Sequence, residues 1–393
     1  MNLLSNTITE SKSFNKGIYT VFLGAFLVLF QIGIYFVYIP WNAERLQITE
    51  AEIGIGLLVF GISNLIGNQT SGRLIVPRIG TKNSIALGLL GIAYCPLFLI
   101  LSSSYLWFLL VYIPFGFFVG LFAPSAQAQI SMIESKTAVI LTPLYHAAFS
   151  VGSLVGAFSA FFTIKYIDNP PLIFLITGTM LILGSLTIYI FGLSKSFEAL
   201  EKTPKFKLPK NSILIFGLLM MMNYATMGIV LDWSALWLTK DLLIPLYLGG
   251  SIIIAFNIGE IMSRLVASKM IKKTSDKFIG GYLSILAGIV LFLSILTTNF
   301  YVIVFGTLLF GFGTANFIAI IYRQAIKITD EPIALTVANL VTLGFAGFIF
   351  GPALVGYLAE YIGLTFNMYL LCIVWGLNGV ALLVMMRRIN SSS

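Results

Sequence analysis

The sequence predicts an all-α membrane protein of twelve spanning helices in two pseudo-symmetric six-helix bundles. Three observations lead there: an apolar composition, the spacing of its charges, and an internal echo between its halves. Hydrophobic residues fill 58% of 393 positions and charged residues 10%, with a mean hydropathy of +0.98. In water such a chain would expose far more contiguous apolar surface than monomers tolerate. Stretches of 18 or more residues free of Asp, Glu, Lys and Arg have lengths 27, 20, 51, 28 and 26, then 21, 18, 45, 28 and 26. A helix needs about 20 apolar residues to cross lipid, so each window holds one span and the two longest hold two each.

Taken in order, the first span covers approximately 17–41, after Lys16 and before Glu44 and Arg45. The second, 50–72, stops at Arg73, and the basic Arg73, Arg78 and Lys82 separate it from the third at 83–103. The fourth (106–131) ends before Glu134 and Lys136, the fifth (138–164) before Lys165, and the sixth covers 170–193. The second series runs 212–238, 246–268, 278–297, 299–325, 332–358 and 364–386, with Lys269, Lys272, Lys273 and Lys277 between its second and third members. Between the series lies a polar stretch carrying Lys195, Lys202, Lys205, Lys207 and Lys210 with Pro204 and Pro209. It divides the chain into an N-terminal bundle (1–193), a linker (194–211) and a C-terminal bundle (212–393).

A net charge of +8 raises the question of nucleic acid, but the distribution of the basic residues answers it with topology. With the N-terminus in the cytoplasm, 19 of 23 Lys and Arg fall in or beside cytoplasmic segments, Arg264 sits just inside a helix end, and only Arg45, Lys165 and Lys240 face outward. That bias places both termini in the cytoplasm of a multi-pass protein of the cytoplasmic or inner membrane, its basic clusters meeting lipid headgroups. The first 16 residues are too polar for a cleaved signal sequence, so the first span is expected to remain.

The halves also share residues at a fixed spacing. Phe115-Gly116-Phe117 recurs as Phe310-Gly311-Phe312, and Gln129 as Gln324, all at an offset of 195. Gly152 and Gly156 recur as Gly347 and Gly351, and Gly33-Ile34 as Gly228-Ile229, at that same offset. Arg73-Leu74-Ile75-x-x-Arg78 is echoed by Arg264-Leu265-Val266-x-x-Lys269. Such duplication is the architecture of many secondary transporters.

Over nearly its whole length the chain resembles the major facilitator superfamily. That family carries Gly-x-x-x-Asp-Arg-x-Gly-x-Arg/Lys between its second and third helices, and Arg78-Ile79-Gly80-Thr81-Lys82 matches the latter part. Pro77 stands where the family has Asp, and Gly72 is displaced by one residue. The resemblance implies a cytoplasmic gate loop of Arg73, Arg78, Gly80 and Lys82, with Arg264 and Lys269 as its second-half counterpart. A narrower likeness joins His146-Ala147-Ala148-Phe149-Ser150-Val151-Gly152 and Asp232-Trp233-Ser234-Ala235 to a bacterial branch near the fucose-permease-like transporters, although Met227 replaces the Glu expected before Gly228.

Buried polar residues nominate the working parts. An ionised side chain in mid-span costs about 2.5–3.5 kcal/mol on insertion scales, so it requires a wet cavity, a partner or a proton. Asp232 and Glu260 are the acidic residues well inside spans. Asp232 has no basic neighbour within a turn. It reads either as a carboxylate binding a proton, a cationic solute or a hydroxylated one, or as a wetted helix end in an aromatic belt with Trp233 and Trp237. Glu260 precedes Arg264 by four residues, which suits a pair on one helix face. Alternatively it exchanges a proton with His146, the single histidine, since imidazole changes charge near neutral pH.

The resemblance places the first, fourth, seventh and tenth helices around a central cavity. Those spans carry Gln31, Tyr35 and Tyr38; Gln127 and Gln129; Asn223, Tyr224 and Trp233; and Asn316 and Tyr322. Their amides, phenols and rings offer hydrogen bonds and stacking faces to a solute, with bonding between helices as the competing use.

Other chemistry finds no support. No phosphate-cradling loop is present, one His and two separated Cys (Cys95, Cys372) do not make an ordinary metal site, and no nucleophile motif stands in context. Neither enzyme nor cofactor nor metal is expected. The reading is a monomeric secondary active transporter that moves a small polar organic solute with H⁺, as symporter or antiporter, by alternating access. A proton-driven exporter of drugs or metabolites is the neighbouring alternative, and a transport-inactive receptor or assembly partner is the alternative of another class.

Overall fold

Backbone amides inside lipid have no water to bond, and the chain satisfies them in helices. The computed structural model describes residues 2–137, 139, 141–167, 169–193, 195, 211–328 and 333–392. Apart from Lys195 and Asn211, the expected linker 194–211 lies outside these. The helices are α1 (Asn2–Leu46), α2 (Glu50–Thr70), α3 (Val76–Ile92), α4 (Cys95–Leu101), α5 (Tyr105–Thr137), α6 (Thr142–Tyr166) and α7 (Pro170–Phe191). They continue as α8 (Asn211–Lys240), α9 (Ser251–Lys273), α10 (Leu283–Leu296), α11 (Phe300–Thr314), α12 (Phe317–Lys327), α13 (Ile333–Ile362) and α14 (Leu364–Ser392). Single π turns at Ser71–Ile75 and Lys277–Tyr282 extend α2 and lead into α10.

Among the described residues, eleven helical stretches are long and apolar enough to cross a membrane. One of them, Glu50–Leu101, has 52 residues, more than twice what a crossing needs. It is broken at Gly80, whose φ of 85° and ψ of 166° lie in a region that side chains with a Cβ avoid. That stretch therefore supplies two crossings, and the glycine of the gate-loop motif is the residue that makes the corner.

Two expected single helices are divided. The span at 83–103 forms α3 and α4, parted at Ala93 and Tyr94, because Pro96 would drive its ring into the carbonyl four residues earlier. Gln31 Nε2 donates to the buried Ala93 carbonyl at 2.6 Å. The span at 299–325 forms α11 and α12, parted at Ala315 and Asn316, with Asn316 Nδ2 donating to Ser263 Oγ at 2.9 Å.

Local chemistry sets the ends. Thr49 and Glu52 form a reciprocal capping box on α2: Thr49 N donates to Glu52 Oε2 at 2.9 Å and Glu52 N to Thr49 Oγ1 at 3.3 Å. Asn169 caps α7 by accepting from Leu172 N, and Asn299 caps α11 by accepting from Tyr301 N and Val302 N. Glu134 accepts from Leu141 N and, at 2.6 Å, from Thr142 N, placing a negative charge at the start of α6.

The chain forms two compact units, Met1–Tyr35 with Val59–Thr203, and Phe36–Leu58 with Pro204–Ser393. Within each unit the offset of 195 recurs in the packing. A Cβ on Gly152 or Gly156 would run into the carbonyl of Phe26 or Phe30, and one on Gly347 or Gly351 into the backbone of Met221 or Ala225. The glycine and its partner are displaced together, so the duplication is preserved in contacts as well as in letters. A polar tie repeats likewise: Thr81 Oγ1 donates to Gln129 Oε1 at 3.0 Å, and Gln324 Nε2 donates to Asp276 Oδ2 at 2.6 Å. Arg323 and Lys327 also reach Asp276, at 3.4 and 3.6 Å.

Candidate functional site

The second unit holds both candidate carboxylates. Asp232 lies on α8, 5% exposed, its Oδ2 leaning back toward Gly228, where Pro352 of α13 also approaches. Among the described residues no hydrogen bond or ion pair reaches it. Trp233 and Trp237 beside it are 0% and 1% exposed, and Trp237 Nε1 donates to Thr365 Oγ1 at 2.9 Å. The alternative of a wetted helix end inside an aromatic belt is thereby corrected. These rings pack inward, where Trp233 meets Gly356 of α13, and among the described residues no acceptor reaches Trp233 Nε1.

Glu260 of α9 is 4% exposed and accepts from Arg264 Nη2 at 2.8 Å, one turn along the same helix. The pair borders a cavity of about 20 Å³ that Asn223, Thr226, Thr314 and Trp375 also line. Asn223 Oδ1 and Trp375 Nε1 are buried there without partners among the described residues, one an acceptor and one a donor. A space of this size admits a single water or a small polar group. Because Glu260 draws its hydrogen bond from Arg264, Arg264→Met is expected to cost about 1–3 kcal/mol by leaving a buried acceptor unpaired. Adding Glu260→Gln should recover part of the loss, and a double-mutant cycle on thermal unfolding measures it.

The remaining candidates divide between the units. In the first, Gln31 is buried on the Ala93 carbonyl, and Tyr35 OH pairs with Tyr112 OH at 2.9 Å. Gln129 is buried between Thr81 and the Gly17 carbonyl. Gln127, half-buried, donates to Ser131 Oγ at 3.2 Å and Thr142 Oγ1 at 3.4 Å. His146 is exposed on α6, its ring beside those of Tyr145 and Phe149. In the second unit Tyr38 is buried against Trp41, and the hydroxyls of Tyr224 and Tyr322 are neighbours. Thus the structure brings together Asn223, Glu260 and Arg264, and Tyr224 with Tyr322, while Asp232 stands apart from the cavity at Glu260.

In the gate loop, Arg73 and Arg78 are exposed and Lys82 lies 5.4 Å over the Tyr189 ring. Lys195 Nζ donates to the carbonyls of Pro77 at 3.2 Å and Arg78 at 2.7 Å, fastening the loop where the usual carboxylate is replaced by proline. Lys269, at the far end of α9, is exposed.

One charged group escaped the sequence reading. Glu50, the first residue of α2, is only 9% exposed and is ion-paired with Lys240 at the end of α8. The two are 190 positions apart, so neither periodicity nor a local motif could join them.

Comparisons with known proteins agree with this architecture. The sequence pattern of the Major Facilitator Superfamily matches residues 21–325. An uncharacterised MFS-type transporter of Yersinia pestis is 26% identical over 332 residues, 83% of this chain and 85% of that protein. Membrane protein MosC of Rhizobium meliloti is 22% identical over 331 residues, covering 83% of this chain and 79% of that one. Among solved structures, the nucleoside transporter NupG superposes with a TM-score of 0.74 at 14% identity, over 94% of this chain and 99% of its own. A bacterial homologue of the lysosomal transporter Spinster, inward-facing and occupied, gives 0.69 at 12% identity over 94% and 96%.

Proposed function

The chain belongs to the Major Facilitator Superfamily and is a multi-pass secondary transporter rather than an enzyme, and from that premise we propose that it moves a small polar organic solute coupled to H⁺, with Asp232 as the coupling group. The observation that carries this reading is the Asp232 carboxylate, buried in a span and met by no cation or donor among the described residues. A charge so placed is costly. Protonation removes the cost, and a group that must be neutral when closed off and charged when wetted is suited to carry a proton through alternating access. Glu260 already has Arg264 to balance it and serves as a secondary station beside the cavity at Asn223.

The solute class rests on the polar lining: Asn223, Tyr224 and Tyr322 offer amide and phenol groups among aromatic walls. The likeness of the His146 and Asp232 segments to the fucose-permease-like branch supports a hydroxylated solute, while Met227 argues against carrying sugar specificity over. The bias of Lys and Arg supports cytoplasmic termini and a location in the cytoplasmic or inner membrane. In this reading the rocking bodies are the halves ending at 193 and beginning at 212.

The experiment is a thermal-shift screen of hydroxylated, amide-bearing and zwitterionic metabolites on the purified protein, followed by proteoliposome transport with an internal pH dye. A stabilising solute should move with a stoichiometric pH change. Solute movement driven by Na⁺ alone, with no proton flux, would overturn the coupling assignment.

A further inference from the structure

The last helix, α14, is not among those that the family resemblance places around a central cavity, yet it brings a polar group into the interior of the second unit. Asn378 Nδ2 donates to the Leu219 carbonyl of α8 at 3.1 Å and ties the two helices together. Three residues before Asn378 stands Trp375, and four residues after Leu219 stands Asn223. Both line the cavity of about 20 Å³ beside Glu260. Trp375 is 1% exposed and Asn223 3%. The indole packs on Phe310 and Phe317, with ring centroids 5.8 and 5.1 Å away, and these neighbours hold its plane. Among the described residues neither Trp375 Nε1 nor Asn223 Oδ1 has a partner. A buried donor or acceptor left unpaired is costly, so each calls for a group that the chain itself does not supply.

The lining decides which chemistry fits. Thr226 Oγ1 and Thr314 Oγ1 give their protons to the carbonyls of Met222 and Gly311, and Arg264 donates to Glu260. The space thus sets an unpartnered donor, the indole N–H, beside an unpartnered acceptor, the amide oxygen. A cation would meet the N–H and an anion the oxygen, each unfavourably. A hydroxyl answers both, accepting from Trp375 and donating to Asn223, and its oxygen is of a size for the volume. We propose that Trp375 Nε1 and Asn223 Oδ1 form a subsite for one hydroxyl group, taken by water until a hydroxyl of the transported solute replaces it.

The duplicated frame does not require this pair. At the positions 195 residues earlier stand Val28 and Met180, and neither side chain carries a hydrogen-bonding N–H or O–H. Helices α1 and α7 meet there all the same, with Leu27 against Gly184. Apolar side chains therefore suffice to pack these helices, and the polar pair is an addition particular to the second unit. Its two members come from α8 and α14, so spacing along either helix could not reveal it. A site built to bond a hydroxyl also rejects an analogue that lacks it, because the buried groups are then left unpaired.

The subsite deepens the hydroxylated-solute reading and rests on it, and the experiment separates the two. The probes are myo-inositol, D-ribose, uridine and D-glycerate, each beside its monodeoxy analogues. Binding is read from the thermal shift of the purified protein, and the indole from the N–H resonance of protein carrying isotope-labelled tryptophan, assigned by its loss in Trp375→Phe. Without a probe the Trp375 N–H should show cross-relaxation with water. A probe that stabilises the protein should move that resonance and displace the water contact, and the parent should prefer it to at least one monodeoxy analogue by about tenfold or more. Trp375→Phe should reduce the preference to about threefold or less while leaving the analogue's own affinity in place, a pattern that a general loss of structure does not produce. Should Trp375→Phe fail to fold, Asn223→Leu removes the acceptor at similar volume and should lose the same preference. An indole with no water contact in the probe-free protein would overturn the subsite. A probe that stabilises the protein while Trp375 keeps its water would mean that the space takes water only, which overturns the subsite and leaves the hydroxylated-solute reading standing. Stabilisation by none of the four probes would remove that reading and the subsite with it.

Discussion

Asp232→Asn is expected to reduce gradient-driven accumulation to equilibrium while leaving solute exchange in place. The amide matches the carboxylate in size and can still hydrogen-bond, but it neither takes up nor releases a proton. A one-unit pH difference is worth about 1.4 kcal/mol per proton, or about a tenfold concentration ratio at one proton per solute. The variant should lose that whole factor. Exchange, in which the loaded protein cycles without resetting its charge, does not draw on the gradient and should persist. Counterflow and pH-driven uptake in the same proteoliposomes separate the two. The comparison variant is Glu260→Gln: Arg264 already balances Glu260, so its change should fall on stability and solute affinity before coupling. If Asp232→Asn accumulates normally and Glu260→Gln does not, the roles are reversed.

The contrast between these carboxylates shows what a sequence carries and what it does not. Arg264 lies four residues from Glu260, so the pair could be read from helical spacing, and it forms as spaced. Asp232 was legible as unpartnered along its own helix, but whether it was wet depended on the orientation of Trp233 and Trp237, which only packing against α13 and α14 decides. Glu50 was invisible for the same reason: its partner is brought by tertiary structure from another helix. Spans, by contrast, follow from the absence of charge over a length fixed by the bilayer, and their number was legible. The breaks within them were less so, although Pro96 stood in the sequence to announce the one before α4. Chemistry shared across helices escapes a reading that works along them.

The duplicated glycines make the strongest stability prediction. A Cβ on Gly347 would overlap the Met221 carbonyl oxygen and lie 2.7 Å from its carbon and 3.1 Å from Ala225 N. These are backbone atoms, so no side chain can rotate away and α8 must separate from α13 along their contact. Gly347→Ala is therefore expected to destabilise by about 1–3 kcal/mol, the range for overpacking, with larger side chains preventing folding. Gly152→Ala should behave alike, because its Cβ would meet the carbonyl of Phe26, the residue 195 positions before Met221. Gly376→Ala is the control. No heavy atom lies within 4 Å of a Cβ there, so the change should be neutral or stabilising by up to about 1 kcal/mol through helix propensity. Thermal unfolding in detergent ranks the three. Equal midpoints for Gly347→Ala and Gly376→Ala would mean that α8 and α13 do not approach as closely as described. A loss at Gly347 without one at Gly152 would mean that the repeat survives in sequence but not in how the first unit is packed.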